Sequence, residues 1–373
     1  MDKDHSSSNK KIRVGVFFGG KSAEHEVSLQ SAKNVVEAID TTKFEPVLIG
    51  IDKTGKWHTA KTEHFLESQT APTLSAASTG DSFTLIPGGD RELISVDTPE
   101  GSSPIDVALP ILHGPLGEDG TIQGFLELTG LPYVGPGVLG SAIGMDKDVM
   151  KRLLRDAGIP TTPFKVLYSH EKATVDVDAI LKELGTPVFV KPANMGSSVG
   201  VSRADNAKEL KQAIDTAFDY DTKLLFEAAV EGDEIECAVL GNTHPKASII
   251  GRVIPREGDF YSYEAKYIDE HGAILEIPAA IPEELSEKAR EIAVKTFQVL
   301  GCEGMSRVDM FVTKDHEILV NEINTIPGFT KISMYPKLWE ATGLSYKELI
   351  TELIELALER HERRSNLKTS YDL

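Results

Sequence analysis

The sequence predicts a mixed α/β and α+β protein of several domains that begins with an open β-sheet. The chain has 373 residues, and at about 150 residues per domain this length predicts two or three domains. Strands alternate with amphipathic helices in the first third of the chain, whereas the last third is richer in strands. Hydrophobic residues make up 40% of the chain, which excludes collagen-like and mostly disordered proteins.

The net charge limits the possible binding partners, and the cysteine content indicates the redox compartment. The chain has 39 Lys and Arg against 58 Asp and Glu, a net charge of −19, so we expect it to bind neither nucleic acid nor a membrane surface, although a local basic cleft could hold a small anion. Cys237 and Cys302 belong to no C-x-x-C motif, which favours a reducing compartment and argues against structural zinc. The polar start and the short apolar stretch after it predict a cytoplasmic protein.

The first domain is predicted to cover residues 1–135. A buried strand at residues 11–18, a helix with apolar residues at helical spacing and a second strand at residues 44–51 form a βαβ unit. Residues 59–96 are mostly polar apart from two short strands, so we interpret them as an excursion outside the core. The alternation resumes with a strand at residues 106–112, which is followed by a Gly-rich loop and a helix.

Two further domains are predicted at residues 136–231 and 232–373. Asp146 is expected to cap the first helix of the second domain, which continues with helices, strands and a loop of small residues at 194–200. The third domain has the strand-rich composition of an α+β fold. The predicted elements are, in chain order, helix 177–184, strand 188–192, helix 207–218, strands 224–230, 234–240, 248–254 and 274–278, helix 283–300, a hairpin, and helix 346–360.

The hairpin of the third domain, at residues 304–323, predicts a cluster of polar side chains. If its turn has two residues, Asp309 faces Glu322 across the strands. The same register aligns Arg307 with Asn324, and the two-residue period of a strand places all four side chains on one face. Carboxylate and amide oxygens are ligands that Mg²⁺ takes together with phosphates. The alternative is a solvated face with surface ion pairs, but a Pro-Gly turn after the hairpin, which can offer backbone N–H groups, favours the metal interpretation.

Two lysines and a Gly-rich loop indicate a phosphate site in the second domain. Lys191 ends a predicted buried strand just before the loop at 194–200, whose small residues allow backbone amides to approach an anion. Lys147 begins a helix of the same domain. The spacing of a P-loop is missing. The alternative is that the loop glycines are turn residues and that both lysines are solvated.

Two loops of the first domain can carry ligand-binding residues. Glu24 follows the first strand, at the usual ligand edge of an open α/β sheet, and can hold a substrate ammonium group. The alternative is that Glu24 or Glu26 only stabilises the start of the next helix. His113 is either a base or a structural loop histidine.

The aromatic and basic stretch at 261–267, in the third domain, is either a lid or ordinary loop packing.

In their order along the chain, these motifs resemble the D-alanine:D-alanine ligases of the ATP-grasp superfamily. The resemblance covers residues 11–362, nearly the whole chain. Several of the motifs are weak alone, but their joint order is specific. They are GGKSAEHEVS at 19–28, HGPLGEDG at 113–120, MDK at 145–147, VKP at 190–192 with GSSVG at 196–200, YEAKY at 263–267, RVD at 307–309, and NEINT at 321–325 with PG at 327–328.

The resemblance implies a three-domain ATP-grasp architecture with an N-terminal Rossmann-like open sheet. It also implies a reaction in two steps, in which ATP phosphorylates the carboxylate of a first D-alanine and the amine of a second D-alanine attacks the acyl phosphate. The products are ADP, phosphate and D-alanyl-D-alanine for peptidoglycan synthesis. A closing lid is a chemical requirement, because water would hydrolyse the acyl phosphate. The implied co-substrate is ATP, the implied metals are two Mg²⁺ ions or Mn²⁺, and the implied assembly is a homodimer.

The resemblance also implies roles for individual residues. ATP is implied to contact Lys147, Lys191, Ser198, Glu227, Ala228, Ala229, Val230, Glu234 and Lys266. The implied metal ligands are Asp309, Glu322 and Asn324, and the implied substrate-binding residues are Glu24, His113, Lys266 and Ser333. Stabilisation of the tetrahedral oxyanion is implied for Arg307 and the amide of Gly328, and a hydrogen-bonded clamp on the lid for Ser197, Tyr267 and Glu24.

Alternatives remain open at the level of the sequence. The chain could be an ATP-grasp carboxylate–amine ligase for another amino acid, a ligase that accepts D-lactate as the second substrate, or an ATP-binding regulatory protein without turnover. Tyr267 argues against D-lactate, because depsipeptide-forming members tend to have Phe at this position. The intact set of Asp309, Glu322, Asn324 and Arg307 argues against a protein without turnover.

Overall fold

The structure of the protein is a computed structural model, which describes residues 10–60, 62–67, 78–88, 91–96, 103–255 and 273–368. Within these residues the chain forms three β-sheets with helices packed against them. The sheets follow one another along the chain. This order confirms the predicted combination of an α/β first part with a strand-rich last part.

The first sheet is built from seven strands and accompanied by three helices. The strands are β1 (Ile12–Gly19), β2 (Phe44–Ile51), β3 (Trp57–Ala60), β4 (Ser78–Leu85), β5 (Glu92–Ser95), β6 (Ser103–Pro104) and β7 (Val107–Ile111), and the helices are α1 (His25–Ala38), α2 (Thr62–Glu67) and α3 (Thr121–Leu128). Their order in the sheet is β6-β5-β4-β3-β2-β1-β7, with β2, β1 and β7 parallel. Val16 and Phe17 are both fully buried, because β1 is covered on both faces.

The interpretation of residues 59–96 as an excursion outside the core was wrong for its described part. Strands β3, β4 and β5 extend the first sheet beyond β2 in antiparallel fashion. Leu85 and Leu93 pack in one apolar cluster with Phe17 and Ile49. The polar composition was misleading because an antiparallel extension needs apolar side chains only on the face that it turns toward the core.

The second sheet is antiparallel and has four strands. They are β8 (Phe164–Tyr168), β9 (Val188–Pro192), β10 (Ser202–Ala204) and β11 (Lys223–Ala228), in the sheet order β10-β9-β11-β8. The helices around it are α4 (Val138–Met145), α5 (Lys147–Asp156), a 3₁₀ helix (Ser169–Thr174), α6 (Val177–Leu184) and α7 (Ala207–Ala217). Asp146 caps α5 as predicted, since its Oδ1 accepts hydrogen bonds from the backbone N–H groups of Asp148 and Val149 at 3.1 Å.

The third sheet is also antiparallel and has five strands. They are β12 (Gly232–Gly241), β13 (Lys246–Pro255), β14 (Ala273–Glu276), β15 (Gly304–Thr313) and β16 (Ile318–Asn324), in the sheet order β14-β13-β12-β15-β16. The helices that follow or cover it are α8 (Glu283–Val299), α9 (Met334–Thr342) and α10 (Tyr346–Ser365). Helix α9 was not predicted. Its Pro336 lies in the first turn, where proline is tolerated.

The turn between β15 and β16 has three residues, not the predicted two. The backbone N–H of Thr313 donates to Glu317 O at 2.9 Å and closes the turn. His316 within it has a φ of 62°, in the left-handed region that completes this kind of loop. A three-residue turn alone would shift every facing pair of the hairpin by one position.

A β-bulge in β16 restores the predicted register. Asn321 is an extra residue between the Asp309–Glu322 pair and the pairs nearer the turn. Asp309 therefore faces Glu322, and Arg307 faces Asn324, as predicted. The longer turn and the bulge therefore compensate each other at the four polar residues of the hairpin face.

Apolar packing joins the first sheet to the C-terminal helices. One cluster combines Val16 and Phe18 of β1 with Leu338 of α9 and Leu349 of α10. This shared core fixes the loops that follow β1 and β7 relative to the turn after β16. Residues from both sides can therefore contribute to one site.

The proposed domains at residues 1–135, 136–231 and 232–373 each contain one of the three sheets. Helix α5 lies before the second sheet in the chain, but its Leu154 packs in a cluster with residues of the third sheet. Among the described residues, no helix combines the length and apolar character needed to cross a lipid bilayer.

Candidate active site

Two adjoining cavities lie beside the second and third sheets. The larger has a volume of about 250 Å³, the smaller has a volume of about 60 Å³, and Ser197 and Glu322 line both. From the predicted set, the larger cavity is lined by Lys147, Lys191, Ser197, Ser198, Glu227, Ala228, Val230, Glu234 and Glu322. The smaller is lined by Ser197, Arg307, Glu322, Asn324, Gly328 and Ser333, and also by Glu236.

The loop at residues 194–200 borders both cavities in an unusual backbone conformation. Ser197 and Ser198 have φ angles of 51° and 60°. Two consecutive non-glycine residues in the left-handed region cost of order 1 kcal/mol each, so their contacts must hold them there. Asp221 anchors the start of the loop, where its Oδ2 accepts hydrogen bonds from the backbone and side-chain nitrogens of Asn194 at 2.8 and 3.0 Å.

Glu24 connects this loop to the first sheet. Its carboxylate is buried and accepts a hydrogen bond from the hydroxyl of Ser197. Gly114 packs so tightly against it that a Cβ at this position would lie 2.6 Å from Glu24 Oε2. Glu26, by contrast, forms an exposed ion pair with Lys53 at 2.6 Å. Of the two acids, Glu24 is therefore the one that faces the candidate site.

Lys147 lies between the loop and the hairpin. Its Nζ donates to Met195 O at 2.8 Å and is 3.3 Å from Glu322 Oε2. The side chain is largely buried. A cation held beside the carboxylate of Glu322 is well placed to receive a phosphate group between the loop and the third sheet.

Lys191 belongs to a buried charge cluster with Glu227. The Nζ of Lys191 donates to Glu227 Oε2 at 2.8 Å, and the Nζ of Lys151 is 3.3 Å from Glu227 Oε1. Lys151 also donates to Thr162 Oγ1 at 2.7 Å. Burial opposes ionisation of Glu227, but the two lysines outweigh it and lower the pKa to about 2. The carboxylate is therefore charged at neutral pH.

The segment after Glu227 forms one wall of the larger cavity. Ala228 and Val230 line it. The backbone N–H groups of Ala228 and Ala229 donate to Pro163 O and Pro187 O at 3.0 and 3.3 Å. These two N–H groups are already used within the protein, so any recognition of a ligand by Ala228 or Ala229 must use other atoms.

The polar face of the β15–β16 hairpin is tightly hydrogen bonded. Arg307 donates to Asp309 twice, from Nε to Oδ1 at 2.7 Å and from Nη2 to Oδ2 at 2.6 Å. Asn324 Nδ2 donates to Asp309 Oδ2 at 2.9 Å. Asp309 is 2% exposed, so the face is neither a dry core nor the freely solvated surface of the alternative interpretation.

The oxygens of this face suit a hard cation. Asp309, Glu322 and Asn324 present two carboxylates and one amide from one side of the sheet, and Glu322 also lines the larger cavity. Among the described residues, no three His, Cys, Asp or Glu side chains are close enough to hold a metal alone. Mg²⁺ is commonly bound by one or two carboxylates together with phosphate oxygens of a substrate, and this face offers the carboxylates.

The turn after β16 brings Gly328 next to Ser333. A Cβ on Gly328 would lie 2.9 Å from Ser333 Oγ, so a larger residue would displace the serine. The Ser333 hydroxyl is held by Thr330, whose backbone N–H donates to it at 3.0 Å. Both residues line the smaller cavity together with Arg307.

Comparisons with known proteins agree with this geometry. The family model described as D-ala D-ala ligase N-terminus matches residues 13–136, and that described as D-ala D-ala ligase C-terminus matches residues 153–355. The chain is 54% identical over 362 residues to a D-alanine--D-alanine ligase of Shouchella clausii, which covers 96% of this chain and 98% of the relative. The chain belongs to the D-alanine–D-alanine ligase family.

Further members of the family support this membership. The chain is 51% identical over 363 residues to D-alanine--D-alanine ligase A of Escherichia coli K12, which covers 97% of this chain and 100% of that protein. The solved D-alanine-D-alanine ligase of Coxiella burnetii has a TM-score of 0.85 and 38% identity, with 95% and 96% of the two chains covered. A D-Ala:D-Ser ligase of Enterococcus faecalis has a TM-score of 0.83 and 36% identity, with 93% and 100% covered. The ATP-grasp architecture predicted from the sequence is confirmed.

Two residues that the family resemblance singled out lie outside the described residues. Lys266 and Tyr267 fall between residues 255 and 273, together with the stretch interpreted as a lid. Their roles in holding the second substrate and in closing the site stay predictions from the sequence.

Three residues near the site were not singled out from the sequence. Glu118 lies in the Gly-rich loop after β7. The motif of this loop was identified in the sequence, but no role was predicted for Glu118. Lys151 follows Lys147 by one helical turn, so it lies on the same side of α5. Glu236 follows Glu234 by two residues on β12, so it shares that face of the third sheet.

His113 is held by the protein on both sides of its ring. Its Nδ1 is 3.1 Å from Ile326 O, which can only accept a hydrogen bond, and its Nε2 is 3.3 Å from Ser31 Oγ. Burial lowers the pKa of His113 to about 4, so the ring is neutral at neutral pH. Because both nitrogens have protein partners, the structural interpretation is favoured over a role as a base.

Glu118 binds the backbone N–H of the same residue, Ile326. Its Oε1 accepts a hydrogen bond from the backbone N–H of Ile326 at 3.2 Å, and its Oε2 accepts one from Gly114 at 2.6 Å. Burial and the nearby carboxylate of Glu24 raise its pKa. Ile326 is two residues from Gly328, so the loop after β7 fixes the turn that carries the Gly328 amide.

The buried His113 makes stability dependent on pH. The pKa falls from 6.5 to about 4 on folding, so the unfolded chain binds more protons than the folded chain between these values. Stability is therefore expected to fall as the pH drops from about 6.5 to about 4, by roughly 3 kcal/mol in total. In His113→Asn an amide replaces the Nδ1–H but cannot titrate, so this part of the loss should disappear. Urea unfolding midpoints across this pH range test it, and an equal acid-dependent loss in both proteins would contradict it.

Proposed function

We propose that the chain joins two D-alanine molecules into D-alanyl-D-alanine for peptidoglycan synthesis, using ATP. Family membership supports this activity and the enzyme class, an ATP-dependent ligase that forms a carbon–nitrogen bond. The observation that carries the assignment of the site is the pair of adjoining cavities. One offers Lys147 and Lys191 to a nucleotide, and the other offers Arg307 to a reacting carboxyl group.

ATP is proposed to occupy the larger cavity. A chain with a net charge of −19 must gather cations locally to hold a triphosphate, and Lys147 and Lys191 meet this need from α5 and β9. Ser198 lies in the loop that borders the same space. The wall after Glu227 is proposed to contact adenine, and Glu234 the ribose.

The hairpin face is proposed to hold two Mg²⁺ ions, for which Mn²⁺ can substitute. The ligands would be Asp309, Glu322 and Asn324. Metal bound there would neutralise phosphate charge and hold the γ-phosphoryl group for transfer. The ion pairs that Asp309 and Glu322 form with Arg307 and Lys147 supply the charge balance of this face without a ligand.

The two amino acids are proposed to bind around the smaller cavity. Glu24 accepts the ammonium group of the first D-alanine, which places its carboxylate toward Arg307 and Gly328. There the guanidinium and the backbone amide donate hydrogen bonds to the oxyanion that forms when the second amine attacks. Ser333 is proposed to hold the second carboxylate together with Lys266.

Closure of the site is proposed to run through the loop at 194–200. The hydrogen bond from Ser197 to Glu24 already links this loop to the first-substrate residue. We propose that this link helps to exclude water from one side of the acyl phosphate site, which would protect an intermediate that water hydrolyses. From the sequence we propose that Tyr267 completes the clamp.

The function is tested by supplying purified protein with ATP, Mg²⁺ and single amino acids. We expect phosphate release that depends on D-alanine, and D-alanyl-D-alanine as the main product by mass spectrometry. D-lactate, D-serine and L-alanine, each offered together with D-alanine, are the comparison substrates. Phosphate release without dependence on D-alanine would contradict the proposal, and so would a mixed product as the main species.

The assembly and location are also proposals from the family resemblance. We propose a homodimer in the cytoplasm. Sedimentation equilibrium of the purified chain tests the assembly, and a mass equal to one chain at micromolar concentration would contradict it.

A further inference from the structure

Glu236 is a buried carboxylate beside the proposed oxyanion site. It lies on β12, in register with Asp309 on β15, and Arg307 is in register with Ala238 of the same strand. The side chain of Glu236 is 4% exposed, yet it borders the smaller cavity with Arg307 and Gly328. A carboxylate buried to this extent needs a cation beside it.

That cation is Arg307, which lies between two carboxylates. Its Nε is 2.9 Å from Glu236 Oε2, and the same Nε donates to Asp309 Oδ1 at 2.7 Å. The second hydrogen bond to Asp309 comes from Nη2 at 2.6 Å. The two donors on this edge of the guanidinium, Nε and Nη2, are therefore directed at Asp309, with Glu236 next to them.

A metal held by Asp309 would change the partners available to this cluster. An Asp309 carboxylate that coordinates Mg²⁺ has less charge and fewer lone pairs to offer to Arg307. The guanidinium would then lose its main partner at the stage when it must stay directed at the reacting carboxyl group. Glu236 is the adjacent anion on the next strand, held by the register of the sheet.

We propose that Glu236 is a positioning residue, which holds Arg307 in place when Asp309 binds metal. This inference rests on the proposed roles of Arg307 and Asp309. Two consequences follow. Glu236 keeps the oxyanion donor oriented for the chemical step, and by taking over Arg307 it leaves the Asp309 carboxylate available to the metal.

The main test is Glu236→Gln, which keeps the shape and removes the charge. The matched control is Asp233→Asn, which removes a carboxylate from the same strand. Asp233 pairs with Arg252 at 3.0 Å and lines neither cavity. We expect Glu236→Gln to lower kcat about tenfold with the KM for ATP unchanged within about twofold, the scale of one charged hydrogen bond used mainly in the chemical step. The control should change neither.

Metal binding gives a second readout that does not depend on turnover. Free Mn²⁺ is measured by electron paramagnetic resonance in the presence of a non-hydrolysable ATP analogue. Glu236→Gln removes one of the two carboxylates beside the guanidinium, so Arg307 pairs more strongly with Asp309 and competes with the metal, and we expect the Kd for Mn²⁺ to rise about fivefold. Unchanged Mn²⁺ binding together with unchanged kcat would overturn the proposal.

A double-variant cycle separates positioning from direct action. In an Arg307→Ala background, adding Glu236→Gln should change kcat by less than about twofold, because there is no guanidinium left to hold. An equal loss in both backgrounds would show that Glu236 acts on substrate itself and would overturn the proposal. If Arg307→Ala alone keeps full turnover, the proposed role of Arg307 fails first. If only Glu236→Gln is silent, the positioning role alone fails.

Glu236→Asp is a control that separates the loss of charge from a loss of activity caused by misfolding. It keeps the charge but withdraws it by one methylene, so kcat should fall between the values of the parent and of Glu236→Gln. Thermal unfolding of all variants is recorded in parallel. A kcat of Glu236→Asp as low as that of Glu236→Gln, at equal unfolding temperatures, would overturn a charge-based positioning role.

Discussion

Replacing Arg307 with alanine is expected to lower turnover roughly 100-fold or more while ATP binding changes little. Arg307 lines the smaller cavity together with Gly328 and Ser333, where we propose that the tetrahedral oxyanion forms. A donor that acts mainly on developing charge contributes to kcat more than to substrate affinity, and removal of one such donor costs about 2.7–4 kcal/mol. Steady-state kinetics with ATP and D-alanine varied separately measure both effects.

The matched control for this prediction is Arg252→Ala. Arg252 lies on the neighbouring strand β13 and forms ion pairs with Asp233 and Glu276 at 3.0 and 3.9 Å, outside both cavities. It should keep the parent's kinetics. A loss in Arg307→Ala that is confined to the KM for ATP would make Arg307 a phosphate-positioning residue instead of an oxyanion donor.

Glu322→Gln is expected to keep the fold but to weaken both metal binding and turnover. The substitution removes one anionic ligand where phosphoryl charge must be neutralised, and it leaves Lys147 without the carboxylate that lies 3.3 Å from its Nζ. We expect a loss in turnover of tenfold or more at limiting Mg²⁺, and partial recovery as the Mg²⁺ concentration is raised. Turnover across an Mg²⁺ titration measures this directly.

The control for this substitution is Glu317→Gln, at an exposed position where the turn of the same hairpin closes. It changes the net charge equally but lines neither cavity. Turnover of Glu322→Gln within about threefold of the parent, a change of only ~0.6 kcal/mol in the barrier, would exclude Glu322 as a metal ligand.

Individual helices and strands could be predicted because the sequence patterns that specify them extend over only a few residues. Helix α6 and strand β9 begin and end at the predicted residues, since apolar periodicity and the breakers beside them act within a few positions. Helix α10 extends to Ser365, beyond the predicted end near Arg360. No Gly or Pro follows Arg360 to end the helix.

The hairpin shows how a correct register can hide two compensating deviations. The sequence predicted a two-residue turn, but the chain forms a three-residue turn and inserts Asn321 as a bulge. The bulge could not be predicted from the sequence of β16. The alternation of apolar and polar residues along this strand is compatible with a regular strand and with a bulged one. It has a consequence at the site, since the Oδ1 of Asn321 lies 3.4 Å from Lys191 Nζ.

The sequence by itself determined the fold class, the family and most of the residues that line the two cavities. These depend on periodicity, caps and motif order, which are properties of short segments. Only the tertiary structure decided which of two neighbouring acids faces the site: Glu24 meets Ser197, which is 173 positions away in the chain, while Glu26 pairs at the surface. The tertiary structure also revealed the positions of Lys151, Glu118 and Glu236, whose partners come from other elements. A buried charge needs a partner, and which partner it finds is set by how sheets and helices pack, not by the residues beside it in the chain.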